Sequence, residues 1–447
     1  MTAKKEGSFL PLLVLTSLLL SCGSNAGEQY HDDKKIYGDP AVYDVLQKGD
    51  IPIGMWVTPT SKYRNEEAYK KIADCGITTV NGFYYSDGTE TEIKEVLGYC
   101  EKYKLNYLLN SKSIESEVMA YADDPVQTHI DNAMNEIGLY ASSPALSGVL
   151  FLDEPNAKYF DAIGAFYQRF HELYPGKLAY VNNLPYEAVA GSGYSRYEDY
   201  LNAFLDKTGS RFWSYDNYPL LNYDPSQPDY KCEAIDFYYN LDLVRSATLQ
   251  RRIPFWCFAQ ALSYDNHRSP SREDLRWDVF SNLAFGAKGI QYFCYFTPGQ
   301  DSYGEGLVSR SGVETARYAY AQELNREIKT YTPYLLNADA VGVMMNDYRR
   351  NGYRLYEAPL TKFGPIKSVE GNRYLIGCFS DQTTGDKSIL ITPTTPRDDI
   401  EITLNLYSSV HEVEAMEDGK FTALSVKNGK LALRLQKGNA LYIRFKN

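Results

Sequence analysis

The sequence predicts a (β/α)8 barrel followed by an antiparallel β-sandwich. Between residue 51 and about residue 330, eight short apolar runs alternate with amphipathic helical stretches. Eight such units over about 280 residues match the size of a (β/α)8 barrel. Beyond about residue 335 the apolar period changes to two, with Gly, Asp and Asn turns, as in antiparallel strands. An open doubly wound sheet is the alternative, but the glycine-rich turn expected after its first strand is missing.

The eight strands and their connecting helices follow in order. Helical spacing is clear at Ile93, Val96, Leu97 and Cys100, which fall at i, i+3, i+4 and i+7. Ser271 and Asp274 form a capping-box pattern that predicts a helix start. The predicted barrel strands lie at 51–59, 76–85, 105–113, 148–156, 177–185, 211–219, 253–261 and 289–298.

The N-terminal residues precede these domains. Lys4 and Lys5 are followed by the apolar run 9–20, which is too short for a comfortable membrane span. The run ends in LLSC (19–22), which resembles the lipobox of bacterial lipoproteins. The resemblance implies export, lipidation of Cys22, and anchoring to a bacterial membrane, at the outer membrane or cell surface. The alternative is an ordinary signal peptide that contains a cysteine.

Four segments result: a signal peptide at 1–22, a tether at 23–48, a barrel at 49–334 and a sandwich at 335–447. The turn at Asp418–Gly419 favours a hairpin in the sandwich. No catalytic constellation stands out in the sandwich, so the barrel is expected to carry the chemistry.

The composition of the chain limits the kinds of molecule that it is expected to bind. The net charge is −11 and no Lys/Arg cluster stands out, which argues against nucleic acid as a partner. After Cys22, six cysteines remain, and they show neither CxxC nor zinc-ligand spacing. The sequence implies no metal and no organic cofactor. The chain has 40 Tyr, which serve either the core or flat platforms for sugar rings. The oligomeric state is not specified.

The run GVLFLDEPN (148–156) ends a buried strand on two adjacent carboxylates, Asp153 and Glu154. Active groups of a (β/α)8 barrel lie at the carboxyl ends of the strands, and this is the fourth strand. Asp216 closes the sixth strand in the same way. We therefore expect Glu154 to be a general acid whose pKa is raised by Asp153 and by partial burial, with Asp153 or Asp216 as the second carboxylate.

Most other strands also end in amide or aromatic side chains, which suits a polyhydroxylated ligand. A carbohydrate is therefore the expected partner. Two roles stay open for Trp256: a platform on which a sugar ring stacks, or a side chain that fills the barrel interior. The predicted sugar-binding residues are Trp56, Tyr85, Asn110, Asn182, Asn183, Tyr218, Trp256, Gln260 and Tyr295.

An acid at the end of strand four resembles the clan of (β/α)8 glycoside hydrolases that includes the β-galactosidases. Residues 275–296, LRWDVFSNLAFGAKGIQYFCYF, are similar to the last helix and strand of these enzymes. The small C-terminal β domain is another common feature. The resemblance implies glycosidase activity with Glu154 as acid/base. It departs at strand seven, where the clan carries a nucleophilic Glu and this chain has Gln260.

Three interpretations remain open. DEP at strand four also resembles barrel β-N-acetylhexosaminidases, in which the substrate's 2-acetamido group replaces the nucleophile and Asp153 orients it. In an inverting mechanism, Asp216 would act as base, with the ends of strands four and six about 7–10 Å apart. The third interpretation is a non-catalytic, lipid-anchored carbohydrate-binding protein on a degenerate barrel.

Overall fold

A computed structural model describes residues 49–82, 88–222, 234, 236–346, 353–410 and 412–446. The predicted signal peptide and tether, with Cys22, lie outside these residues, as do Tyr85 and Cys232. Within the described ranges, no helix combines the length and the apolar character needed to cross a membrane. The five described cysteines after this leader are all buried and unpaired.

The first domain is a (β/α)8 barrel, as predicted. Eight parallel strands follow one another around it, and β1 pairs with β8. A bridge between Asn183 and Tyr215 joins β5 to β6 and completes the ring. The strands are β1 Ile53–Met55, β2 Thr79–Asn81, β3 Asn106–Asn110, β4 Leu146–Asp153, β5 Leu178–Asn182, β6 Trp213–Tyr215, β7 Phe255–Gln260 and β8 Gly289–Phe293.

Helices cover the outside of the barrel, and the amphipathic ones present one apolar face to the strands. On α2 this face consists of Ile93, Val96, Leu97 and Cys100, the four residues that the spacing predicts. Ser271 and Asp274 form the predicted capping box of α8. The helices are α1 Glu66–Asp74, α2 Glu90–Tyr103, α3 Lys112–Asp123, α4 Gln127–Gly138, α5 Phe160–Leu173, α6 Tyr197–Thr208, α7 Phe237–Arg251, α8 Arg272–Ala284 and α9 Ala316–Leu335, with 3₁₀ turns at Ser61–Tyr63, Ala157–Tyr159 and Tyr186–Gly191.

Side chains fill the barrel interior in layers. Trp256 lies over Gly289, where a Cβ would come within 2.5 Å of the indole ring. Since strand residues alternate between the two faces, Asn182 lies two residues above Tyr180 on the same interior face of β5. The upper layer is thus polar and faces the open end of the barrel.

The second domain is an antiparallel β-sandwich. One sheet has six strands in the order β15-β14-β17-β12-β11-β9, and the other has three in the order β10-β13-β16. Asp418 and Gly419 both have positive φ and form the predicted hairpin turn. The strands are β9 Ala338–Met345, β10 Ile366–Gly371, β11 Tyr374–Asp381, β12 Lys387–Pro393, β13 Ile400–Leu406, β14 Glu412–Glu417, β15 Lys420–Ala423, β16 Lys430–Leu435 and β17 Leu441–Lys446.

The six-stranded sheet packs directly on the barrel through α8, which lies against β11 and β12. At Gly377 of β11 an added Cβ would come within 2.1 Å of the Ala284 carbonyl oxygen. The contact is therefore too close for any side chain, and the sandwich buttresses the helix that follows β7.

Candidate active site

The carboxyl ends of β4, β5 and β6 bring three predicted site residues together. Asn182 ends β5, and its Nδ2 donates to Asp216 Oδ1 at 2.9 Å and to Asp153 Oδ1 at 3.3 Å. Asp153 ends β4 and Asp216 directly follows β6. One amide therefore ties the two aspartates together across three neighbouring strands.

The backbone turns at Glu154 as soon as β4 ends. Its φ is +46°, a left-handed conformation that is unfavourable for a residue other than glycine. Its N–H donates to the Asn182 carbonyl oxygen at 2.7 Å. Two consecutive strand residues normally face opposite ways, but this turn brings both Asp153 and Glu154 to the barrel mouth.

Glu154 carries a strongly perturbed carboxyl at the mouth. Its side chain is exposed to solvent at the cleft, but the surrounding protein removes part of its hydration. The negative charges of Asp216 and Asp153 also disfavour its ionised form. Together they raise the pKa of Glu154 to about 8. An interaction of its carboxyl with that of Asp216 is a further, smaller cause of this raised pKa. These contacts all favour the protonated form of Glu154.

Asp216 is held by several donors. Burial raises its pKa, whereas hydrogen bonds from Asn182, its own backbone, Tyr218 and Glu154 act in the opposite direction. Asp216 interacts with the Glu154 side chain although strand spacing predicts that the two strand ends lie about 7–10 Å apart. Strand spacing fixes the Cα positions only, and the side chains reach toward each other.

Glu187 is a fourth carboxylate, which the sequence analysis missed. It lies in the 3₁₀ turn after β5, and its Oε2 accepts from Asn217 Nδ2 at 3.1 Å. Burial, followed by the charges of Asp216 and Asp236, raises its pKa to about 7. The rule that active groups lie in the loops after the strands was the available signal.

An aromatic wall borders Asp216, formed by Tyr218, Tyr264, His267, Phe293 and Tyr303. Tyr218 is the predicted member, and its hydroxyl bonds Asp216. The Tyr264 and His267 rings are stacked at 4.3 Å, and the Tyr218 and Phe293 rings lie 5.2 Å apart. Burial lowers the pKa of His267, so this ring is neutral at neutral pH. The wall offers flat apolar surface beside the carboxylates.

Gln260 does not reach the site. Its side chain is fully buried, and its Nε2 donates to the carbonyl oxygens of Arg268 at 2.7 Å and Leu262 at 3.1 Å. Its Oε1 accepts from the Leu220 N–H at 3.2 Å. The predicted sugar contact is therefore wrong, because Gln260 clamps together the loops after β6 and β7.

Four further residues predicted to bind sugar are buried in the core. Trp56 packs edge-on against Phe258, at 5.4 Å, inside the barrel. Trp256 fills the interior against Tyr180. Asn183 donates to the Ser214 carbonyl oxygen, and Tyr295 lies near Tyr318, so both face away from the mouth. Asn110 is half-buried at the end of β3 and remains a candidate.

Asn81 is a second polar residue that the candidate set omitted. It ends β2 on the opposite side of the barrel from β6, and it is 1% exposed. Among the described residues, neither polar atom of its side chain has a hydrogen-bond partner, which is costly for a buried amide. Across the described ranges, no group of three His, Cys, Asp or Glu side chains has the geometry to hold a metal ion.

Comparison with known proteins agrees with this architecture. Residues 192–331 match the Glyco_hydro_42 family model, described as β-galactosidase. No curated protein sequence matches the chain. Two structures of Gan42B, a GH42 β-galactosidase from G. stearothermophilus, have a TM-score of 0.57 at 8% and 9% identity, covering 92% of this chain and 100% of that chain.

A family 39 glycoside hydrolase from the gut symbiont Bacteroides cellulosilyticus WH2 is also similar, with a TM-score of 0.51 and 12% identity, over 91% of this chain and 83% of that chain. At these identities the likeness is one of fold. The chain therefore has the barrel-and-sandwich fold of these glycoside hydrolases, and its segment 192–331, which contains Asp216, is similar to the β-galactosidase family.

Proposed function

We propose that the protein is a glycosidase in which Glu154 is the general acid and Asp216 its ionised partner. The observation that carries this proposal is the pair of interacting carboxyls, Glu154 and Asp216, at the carboxyl ends of β4 and β6, where Asn182 also bridges Asp216 to Asp153. Catalytic groups of (β/α)8 enzymes lie at this end of the barrel. The match of residues 192–331 to a β-galactosidase family model also supports it.

The pKa of Glu154 suits the role of acid. A group that stays protonated up to about pH 8 can protonate the leaving glycosidic oxygen at neutral pH. At Asp216, burial raises the pKa, and hydrogen bonds from Asn182 and Tyr218 act in the opposite direction and favour the ionised form. Two carboxyl groups in environments this different take opposite roles.

The closeness of the pair favours retention of the anomeric configuration. Inverting enzymes separate their carboxyls by about 6.5–9.5 Å to hold a water molecule, and retaining enzymes by about 5–5.5 Å. The carboxyls of Glu154 and Asp216 are close enough to influence each other's pKa, which favours the shorter separation. We therefore favour retention over the inverting interpretation.

In the proposed reaction, an oxygen of Asp216 attacks the anomeric carbon while the bond to the leaving oxygen breaks. Glu154 transfers its proton to that oxygen, and a glycosyl ester of Asp216 forms. Water then gives a proton to Glu154 and attacks the anomeric carbon, which frees the Asp216 carboxylate. This sequence restores both groups.

A substrate-assisted route is the second candidate, and it is favoured by Asp153. This residue adjoins Glu154 and shares the Asn182 amide with Asp216. A 2-acetamido oxygen of the substrate would then attack the anomeric carbon, with an aspartate holding the acetamido N–H. This route also retains configuration, but it requires a 2-acetamido sugar.

The test uses aryl β-galactosides and the corresponding 2-acetamido-2-deoxy glycosides with the wild type, Glu154→Gln, Asp216→Asn and Asp153→Asn. Hydrolysis of the galactosides supports Asp216 as nucleophile, and a trapped 2-fluoro-glycosyl ester on Asp216 identifies it. Hydrolysis of the acetamido sugars alone supports substrate assistance. Sugar binding without hydrolysis of these or of oligosaccharides would support the carbohydrate-binding alternative.

We also propose that the protein is exported and anchored by a lipid on Cys22. The basic start, the apolar run 9–20 and LLSC support this. Expressed in a bacterium, the wild type is expected to incorporate labelled palmitate and to sediment with membranes. Cys22→Ala is expected to lose both, and membrane association of this variant would contradict the proposal.

A further inference from the structure

A chain of hydrogen bonds crosses the barrel interior below the carboxylates. Gln291 Nε2 of β8 donates to the Tyr180 hydroxyl of β5 at 2.5 Å, and this hydroxyl lies 2.9 Å from Ser214 Oγ of β6. Ser214 Oγ donates to Asn182 Oδ1 at 3.1 Å. All four side chains are buried. We call Gln291, Tyr180 and Ser214 the interior relay.

The hydrogen bonds of the relay all donate in one direction, from Gln291 toward Asn182. A hydroxyl has a single proton, and that of Ser214 goes to Asn182, so Ser214 must accept from Tyr180. Tyr180 in turn accepts from Gln291. Asn182 Oδ1 therefore points down to Ser214, and its Nδ2 points up to the aspartates.

This orientation matters for the charge of Asp216. A rotated Asn182 amide would turn its oxygen toward the Asp216 carboxylate and its Nδ2 toward Ser214. The donation at 2.9 Å would be replaced by a repulsive contact. Since a donor favours the ionised carboxylate, its loss raises the pKa of Asp216.

We propose that the interior relay is a positioning device that keeps Asn182 oriented as a hydrogen-bond donor to Asp216. Tyr180 and Ser214 act through Asn182 and contact no substrate. Any effect of the relay on catalysis rests on the proposed glycosidase function. The effect of the relay on the pKa of Asp216 does not depend on that function.

The choice of residues supports a role beyond packing. Interiors of these barrels are mostly filled by branched apolar side chains, which carry no hydrogen-bonding requirement. Here three strands instead contribute polar side chains that connect β8 to the mouth. A polar network of this kind specifies one arrangement when its members are paired.

The test is Ser214→Ala, with Ser147→Ala as the matched control. Ser147 Oγ is also buried and donates to Asn106 Oδ1 at 3.0 Å, but at the opposite end of the barrel. The full-length protein, labelled with ¹³C at the aspartate carboxyls, is titrated by NMR. Ser214→Ala is expected to raise the Asp216 titration midpoint by about one pH unit, and Ser147→Ala to leave it unchanged.

Two more variants keep the test decisive if Ser214→Ala fails to fold. Ser214→Thr retains the hydroxyl and is expected to keep the wild-type midpoint, whereas Tyr180→Phe is expected to raise it by less than Ser214→Ala. With an active enzyme, the acid limb of the kcat–pH profile moves with the midpoint and KM stays unchanged. An unshifted midpoint in Ser214→Ala or Tyr180→Phe overturns the relay, even if wild-type activity is absent and the proposed function has failed.

Discussion

At strand seven, the glycoside hydrolases that this chain resembles carry a nucleophilic glutamate, whereas this chain has Gln260. The substitution Gln260→Glu restores a carboxylate at the end of β7. If the barrel were a decayed enzyme that lost its nucleophile, this change would be tolerated and would increase activity. The structure predicts the opposite. Gln260 is fully buried, and its amide holds the loops after β6 and β7.

The magnitude follows from the contacts of the amide. Gln260 Nε2 donates to the carbonyl oxygens of Arg268 at 2.7 Å, Leu262 at 3.1 Å and Leu220 at 3.4 Å. A glutamate would hold a negative oxygen against these three acceptors. Each lost hydrogen bond costs about 1 kcal/mol. In measured cases, the whole loss of stability when a buried charge is left without its partner is about 3–5 kcal/mol. We expect the free energy of unfolding to fall by about 3–5 kcal/mol at pH 8.

The loss of stability caused by Gln260→Glu depends on pH through the pKa of the new glutamate. Burial without a cation raises the pKa of the new glutamate above its ordinary value. The destabilisation is therefore smallest below the ordinary pKa of Glu, and it grows as the pH rises from there toward the folded-state pKa. Near pH 4 the protonated carboxyl can still donate to the Arg268 carbonyl.

Urea unfolding of the full-length protein at pH 5 and pH 8 measures this difference. Gln260→Met, which has similar volume and no charge, is the control, with an expected loss of about 1–3 kcal/mol at both pH values. A Gln260→Glu variant as stable as the wild type at pH 8, or more active than it, would refute the reasoning.

Three other predictions follow. Glu154→Gln is expected to lower kcat by about 10²–10⁴-fold for glycosides with poor leaving groups and less for activated aryl glycosides; equal losses on both would contradict an acid role. Glu187→Gln removes a negative charge that raises the pKa of Glu154, so the alkaline limb of the kcat–pH profile moves down by about half a unit; an unmoved limb would contradict this coupling. Gly377→Ala places a Cβ against the Ala284 carbonyl and is expected to cost about 1–3 kcal/mol; an unchanged calorimetric Tm would contradict the close packing of sandwich on α8.

The fold was predictable because its signals are local. Each apolar run and each helical face repeats at its own period, as at Ile93 and Cys100 of α2, so eight units were visible in the sequence. The position of Asp153 and Glu154 followed from counting strands. Asn182 was predicted as a sugar contact, but its role as a bridge between aspartates depends on strands that are distant in sequence.

The errors have a common cause. Gln260 and Trp256 lie on a strand whose sequence resembles a strand end with binding groups. Their contacts are made with Leu220 and Gly289 from the neighbouring units and with Arg268 in the loop after the strand. Non-local packing decides whether such a side chain reaches the mouth or fills the core. Glu187 was missed because it lies five residues beyond its strand, in a turn without a sequence signature.

The configuration of the first product tests the central claim most directly. A substrate that the wild type hydrolyses is followed by ¹H NMR from the first minutes, before mutarotation, and the anomeric proton of the released sugar is assigned. The interacting pair of Glu154 and Asp216 predicts that a β-glycoside first releases the β anomer. Initial release of the α anomer would contradict the account, because inversion requires a water molecule held between the two carboxyls.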